Sequence, residues 1–458
     1  MPKELVGRRA RHGWLLLSWS LCLLSGLSHG SGLRAQTLEE ALVSTYLSNP
    51  TLKAQRATLR SATEAVAEAK GGWRPTLAIE GDLQANTVDD SSDSGRFTSS
   101  SAALVLEQNL YRGGETVASV SQAEYLLLYE RAHLLVTEQE VILTAIDAYT
   151  GVVNALAVLD LAKANEKRLA KQLDATRKRF KAGEFTGTDV SQAEARFAGA
   201  IAERDRALSA VEAAKALYRS VTDQDPVSLS PPTAPDLTAA GETEAQSLAS
   251  EGNPAIQAAR YRLAATGADI RIAEAALYPS LDLQAEVSYA DDPSLDTSYE
   301  RAAAVGVELR IPLYQGGGEY ARIRRAKQEM GRFGDGLEAV KRAVAADTSQ
   351  AWQDFRAARS NIGSIEQQVT AAKQALEGAR KEAEVGQRTI LDVLDLEDDL
   401  FRAEIALETA RRDEVVAAYR LRLALGELTA NALDLPGKRY DAELYDQNNR
   451  NRLIGIGR

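Results

Sequence analysis

The chain of 458 residues is poor in several residue types: one cysteine, two methionines, three histidines, seven phenylalanines, and only 6% aromatics in all. A lone thiol excludes an intrachain disulfide and a cysteine metal site. Two histidines, His12 and His29, fall within the first 35 residues, and His133 stands alone in a helical stretch, so no histidine metal cluster is expected. No nucleophile elbow or phosphate loop occurs. The chain therefore reads as a non-enzyme with no catalytic residue, no cofactor and no metal site. A formal charge of -11 disfavours nucleic acid as a partner. Scarce aromatics beside abundant Ala, Glu, Arg and Leu describe long helices packed through small residues.

The first 35 residues read as an export signal. Lys3, Arg8, Arg9 and Arg11 precede an apolar run from Trp14 to Leu27, and Leu33-Arg34-Ala35 forms a cleavage site before Gln36. Arg8-Arg9 lacks the usual twin-arginine context, which favours the general export route. Cys22 lies mid-run, where it is poorly placed to become a lipid-anchored N-terminus. Elsewhere no stretch of about 18 or more apolar residues, the length of a membrane helix, is expected. An exported chain of this kind is either soluble or a β-barrel protein.

What the chain has in abundance is itself. Asn49-Pro50 returns as Asn253-Pro254 and Trp73-Arg74-Pro75 as Leu277-Tyr278-Pro279, both 204 residues on. Leu110-Tyr111-Arg112-Gly113-Gly114 returns as Leu313-Tyr314-Gln315-Gly316-Gly317, and Phe180-Lys181-Ala182-Gly183 as Ala383-Glu384-Val385-Gly386, both 203 on. The repetition predicts a leader (1–35), repeat 1 (36–222), an equatorial linker (223–243), repeat 2 (244–429) and a tail (430–458).

Each repeat opens with a helical stretch, Leu38 to Gly72 and Glu244 to Leu277, closed by Pro75 and Pro279. The period then changes to two. Leu77, Ile79, Leu83 and Ala85 alternate with Glu80, Asp82 and Gln84; Leu281, Leu283, Val287 and Tyr289 alternate with Asp282, Gln284 and Glu286. A polar loop (Asp89 to Gly95; Asp291 to Ser294) leads into a second alternating run, giving hairpins over 76–110 and 280–313. Runs of about ten residues suit a tilted strand across a bilayer. Trp73, Tyr111, Tyr278 and Tyr314 gather at one end, as aromatics do at a membrane interface. A soluble sandwich sheet shows the same alternation. Within a bilayer four strands cannot close, so the unit must share a barrel with copies of itself; two, three or four chains satisfy that condition.

After the Gly-Gly turn each copy runs helically, Glu115 to Ala182 and Glu319 to Val385, about 100 Å at 1.5 Å per residue. Val152, Ala155, Leu159, Ala162, Leu169, Leu173, Thr176 and Phe180 keep a 3-4 spacing, as do Ile365, Val369, Ala372, Leu376, Ala379 and Ala383. That is a coiled-coil seam with small residues. Return helices, about Asp189 to Val221 and Ile390 to Leu428, follow tips at 183–188 and 386–389. The proline-rich linker reads as a belt and the C-terminus as a loose tail.

This duplicated set resembles the TolC family of outer-membrane channel proteins, from about Thr37 to Thr429. The motifs are the Leu-Tyr-Arg/Gln-Gly-Gly turns and the tips Phe-Lys-Ala-Gly-Glu-Phe-Thr-Gly-Thr-Asp-Val and Val-Gly-Gln-Arg-Thr-Ile-Leu-Asp-Val-Leu-Asp. The resemblance implies an α+β membrane protein: a homotrimer with a twelve-stranded β-barrel, four strands per chain, continuous with a coiled-coil periplasmic tunnel of twelve helices. It further implies outer-membrane lipid around the barrel, a periplasmic adaptor (membrane fusion) protein, and an inner-membrane ABC or proton-driven transporter. The expected function is the exit duct of a tripartite export system, for type I protein secretion and/or small-molecule efflux. The lack of a suitable cysteine points to the unlipidated branch. The alternative is an exported coiled-coil structural or adhesive protein without a pore.

At the tips, Gly183 and Gly386 fit left-handed helix ends. Thr186-Gly187-Thr188-Asp189 and Thr389-Ile390-Leu391-Asp392 fit capping boxes, which alone account for both aspartates. The copies part at Arg388, whose counterpart is Phe185, and at Asp395, whose counterpart is Gln192. By the resemblance, Asp392 and Asp395 form carboxylate rings at the periplasmic constriction, six carboxylates that would attract cations. It also makes Arg388 and Asp189 a linkage holding the tunnel shut, and the turns at Gly183, Gly386, Thr188 and Thr389 contacts for the adaptor. The family's tyrosine in that closing network is Ala383 here, one hydrogen bond fewer for the closed state. Asp398-Asp399 read as solvated helix face.

Overall fold

The computed structural model describes residues 36–89, 94–437, 439–452 and 455. The expected leader, with Cys22, His12 and His29, and loop residues 90–93 lie outside the described residues. Repeat 1 comprises α1 (Leu38–Ser48), α2 (Pro50–Gly71), β1 (Thr76–Asp89), β2 (Ser94–Arg112), α3 (Glu115–Lys181) and α4 (Gly187–Thr222). Repeat 2 follows the same order with α5 (Glu242–Gly252), α6 (Pro254–Ala275), β3 (Ser280–Ser294), β4 (Thr297–Arg310), α7 (Gly318–Glu384) and α8 (Ile390–Leu425). A short α9 (Ala442–Asn449) is the last element among the described residues.

The opening stretch of each repeat, expected as one helix, is two. Asn49 leaves helical geometry, and its side chain accepts from the N–H groups of Thr51 and Leu52 while Pro50 occupies the first position of α2. Asn253 and Pro254 repeat the device before α6. Proline is tolerated there because its missing N–H is one of the helix's unpaired donors anyway. Each asparagine amide also reaches across to the end of a return helix, Asn49 to the carbonyl of Val221 and Asn253 to that of Ala424.

The strands form one antiparallel sheet in the order β1-β2-β3-β4, so the two repeats meet at β2 and β3. They run 14, 19, 15 and 14 residues, longer than the ten expected. β3 continues through Asp291–Ser294, read from sequence as loop, with Asp292 left-handed at φ 46°. The register puts Glu80, Asp82, Glu107, Asp282, Glu286 and Glu308 on one face. Leu77, Ile79, Leu104, Val287, Val305 and Val307 lie on the other, all well exposed in the single chain.

The helices stand in four columns that continue the strands. α2 and α4 pack along α3, α6 and α8 pack between α3 and α7, and α7 lies outermost. α3 is central and buries 23 of its 67 residues; α7, of the same length, buries eight. Against the expectation of no apolar stretch of that length, α3 contains an 18-residue window apolar enough to cross a membrane. Its apolarity serves the core instead: Ile142, Ala145, Ile146, Tyr149 and Val152 are fully buried against α1, α2 and Tyr218.

The linker is anchored there, with Gln36 bridging to Leu229 and the Tyr149 hydroxyl 2.7 Å from the Ser230 carbonyl oxygen. The tail, expected to be loose, is docked. Asp446 of α9 pairs with Arg131 at 2.9 Å, Tyr445 donates to Glu64 at 2.9 Å, and Arg56 lies between the rings of Tyr46 and Tyr440. Glu138, buried in α3, accepts from the Ala430 N–H at 2.7 Å; burial raises its pKa, against the opposing pull of that N–H and of Arg56.

Candidate functional site

The end of the helical body farthest from the sheet consists of two hairpin tips built alike. α3 closes with Gly183 at φ 81° and the Glu184 N–H donating to the Arg179 carbonyl; α7 closes with Gly386 at φ 77° and the Gln387 N–H donating to Glu382. Both bonds satisfy carbonyls that a helix end leaves free. The return helices start with true capping boxes, Thr186 with Asp189 and Thr389 with Asp392. Thr188 sits in the first turn of α4.

A second pair recurs that the sequence reading did not find. Arg177 holds Glu194 at 2.7 Å across the first hairpin, and Arg380 holds Glu397 at 2.6 Å across the second. The offset is again 203, so comparing the copies for paired charges was the signal available. Their surroundings differ: Glu194 is 47% exposed, Glu397 only 3%, with one carboxylate oxygen lacking a partner.

The positions where the copies part have local partners. Arg388 pairs with Glu382 at 2.9 Å, while its counterpart Phe185 lies under Arg179, the counterpart of Glu382. The same two positions thus meet in both copies, as an ion pair in one and a cation–π contact in the other. Asp189 accepts from the hydroxyl and N–H of Thr186 at 2.7 and 2.8 Å, and within one chain it is not joined to Arg388.

Asp392 accepts from the Thr389 hydroxyl at 2.8 Å and its N–H at 3.2 Å. Those bonds, the hydroxyl's first, with the nearby Arg388, hold its carboxyl below the usual aspartate range. Asp395 is not free: Arg196 of α4 binds it and also lies 3.9 Å from Asp398. Asp398, read as solvated helix face, is instead half-buried and shared between Arg196 and Arg402. Arg196 ties repeat 1 to repeat 2 at the tip, above an apolar contact of Leu169, Ala200, Ile390 and Leu394. Its counterpart in the other copy is Asp399, a charge reversal visible in the sequence. Ala383 packs at the edge of the α7–α8 seam. Among the described residues no group of three or more His, Cys, Asp or Glu side chains is placed to hold a metal.

A sheet apolar on one face and acidic on the other, set on helical columns about 100 Å long with charged tips, defines a membrane-anchored conduit protein. The chain belongs to the outer membrane efflux protein family, whose sequence model matches residues 41–222 and 245–427, once per repeat. It is 34% identical over 436 residues to outer membrane efflux protein BepC of Brucella suis biovar 1, covering 95% of each chain. It is 28% identical to outer membrane protein TolC of Vibrio cholerae, covering 87% of this chain and 92% of that one. Its fold matches the outer membrane protein VceC from Vibrio cholerae with a TM-score of 0.76 at 22% identity, covering 85% of this chain and 96% of that one. The chain is thus an outer-membrane channel protein rather than a poreless adhesive rod.

Proposed function

We propose that three copies of the chain close into one passive exit duct, a twelve-stranded barrel continuous with a twelve-helix tunnel. The observation that carries this is the pair of unfinished edges. Among the described residues β1 and β4 each lack a strand neighbour on one side, and the column of α7 is exposed along most of its length. In lipid an open sheet edge leaves N–H and C=O groups unsatisfied, each costing several kcal/mol, so the edges must meet those of other copies. Three copies give twelve strands and, from the repeat, an approximate sixfold arrangement of hairpins.

At the periplasmic end the tips form the gate. Asp392, its carboxyl held in the ionised form, supplies the ring of negative charge, and Asp395 contributes where Arg196 releases it. Arg388 and Asp189, apart within one chain, face each other between neighbouring copies and hold the aperture closed. The turns at Gly183, Gly386, Thr188 and Thr389 receive a periplasmic adaptor, which couples the duct to an inner-membrane ABC or proton-driven transporter. The cargo is secreted protein, small molecules, or both. Planar-bilayer recording tests the reading: purified protein should give stepwise conductance, and protein that stays soluble without detergent and gives no steps refutes it.

A further inference from the structure

We propose that Arg301, set between Tyr289 and Tyr299 on the apolar face of the sheet, binds the phosphate of an anionic lipid in the outer leaflet of the membrane. This rests on the channel reading above. The register fixes the setting. Row by row from the helical end, the face carries Leu281 with Leu309, Leu283 with Val307, Ala285 with Val305, and Val287 with Ala303. No charge interrupts those rows. The next row pairs Tyr289 with Arg301, and the one after it Asp291 with Tyr299.

Arg301 is eight residues along β4 from Leu309, about 27 Å of strand, or about 20 Å of height at a 40° tilt. Tyr299 lies at about 26 Å, so the arginine and its tyrosines sit at the far boundary of an apolar band about 25 Å tall. The hairpin ends lie opposite the helices, which places this boundary on the outer leaflet.

Among the described residues the guanidinium has no carboxylate partner. Its contacts are the faces of Tyr289 and Tyr299, with ring centroids 5.8 and 5.6 Å away. Asp291, on the same face, accepts instead from the Tyr289 hydroxyl at 3.4 Å, and Glu300 points to the opposite face. Asp89 and Arg96 share the face nearer the loops. Ring faces orient a guanidinium while leaving its N–H edge free, and that planar fork fits phosphate oxygens. An arginine at the edge of hydrocarbon without a counterion is costly, and a lipid phosphate arrives at this depth and with this charge.

The test compares the wild type with Arg301→Ala and Arg301→Lys, reconstituted in phosphatidylcholine vesicles with or without diphosphoryl lipid A. The lipid should raise the wild-type unfolding midpoint by about 3 °C or more, leave Arg301→Ala nearly unmoved, and move Arg301→Lys by an intermediate amount. All three proteins should conduct alike in planar bilayers, which separates loss of the lipid contact from loss of the barrel. An equal rise in Arg301→Ala, no rise in the wild type, or the same rise from inorganic phosphate in detergent would overturn the assignment. A wild type that forms no pore overturns the channel reading, and this inference with it.

Discussion

Removing Arg380 should loosen the second hairpin tip far more than removing Arg177 loosens the first. The two arginines occupy equivalent positions and make equivalent bonds, at 2.6 Å to Glu397 and 2.7 Å to Glu194. Only the burial of the acid differs, 3% against 47% exposure. Arg380→Ala strands a carboxylate that already has one oxygen without a partner. Breaking a buried pair costs about 3–5 kcal/mol, and because Arg380 is itself half-exposed the expectation is about 2–3 kcal/mol. Arg177→Ala breaks a solvated pair and should cost about 1 kcal/mol or less. Hydrogen exchange at tip amides reads these as local opening, roughly 30- to 150-fold faster around α7–α8 and no more than about fivefold around α3–α4. Replacing both partners, Arg380→Met with Glu397→Leu, should restore most of the protection because no charge is left buried. Equal acceleration at the two tips would refute the reasoning, since burial would then not decide the cost.

Asp392 gives a pH dependence with a definite sign. Its folded pKa lies below the ordinary value, so its capping contribution is present above the unfolded aspartate range and is lost as pH falls through the folded value. Thr389→Ala should therefore weaken protection of the α8 N-terminus at neutral pH, and the difference from wild type should shrink in acid below that folded value, to what the Thr389 hydroxyl contributes by accepting from the Asp392 N–H. At the junction of sheet and helix, Gly113→Ala should impair assembly more than Gly316→Ala. Both glycines are left-handed, but only a Cβ on Gly113 would meet the Ala275 carbonyl oxygen, at 2.5 Å; heat stability of the purified assembly compares them. Arg388→Ser and Arg196→Ala should each ease opening and raise single-channel conductance, whereas conductance equal to wild type would remove these residues from the gate.

The repeat, the alternating strands and the capped tips were legible because each is a local pattern stated twice. Asn49-Pro50 was visible as a repeated dipeptide, yet its role as a helix start depends on the asparagine side chain bending onto the next turn. The strands exceed ten residues because pairing continues past the apolar band; β3 runs on across a register irregularity through Asp291–Ser294, where composition alone resembles loop. The docking of the tail rests on Arg56 between Tyr46 and Tyr440, a contact between chain ends that no periodicity reveals. The pairing of Asp395 with Arg196 likewise joins the two copies through residues 199 apart in sequence. Comparing each copy with the other located the right positions, while the partners came from packing.

The central claim is that this four-stranded sheet closes only in the company of identical copies. The native mass of the purified assembly tests it most directly. The account predicts a single species of three chains, stable until the barrel unfolds; a monomer or dimer that still conducts in a bilayer would contradict it.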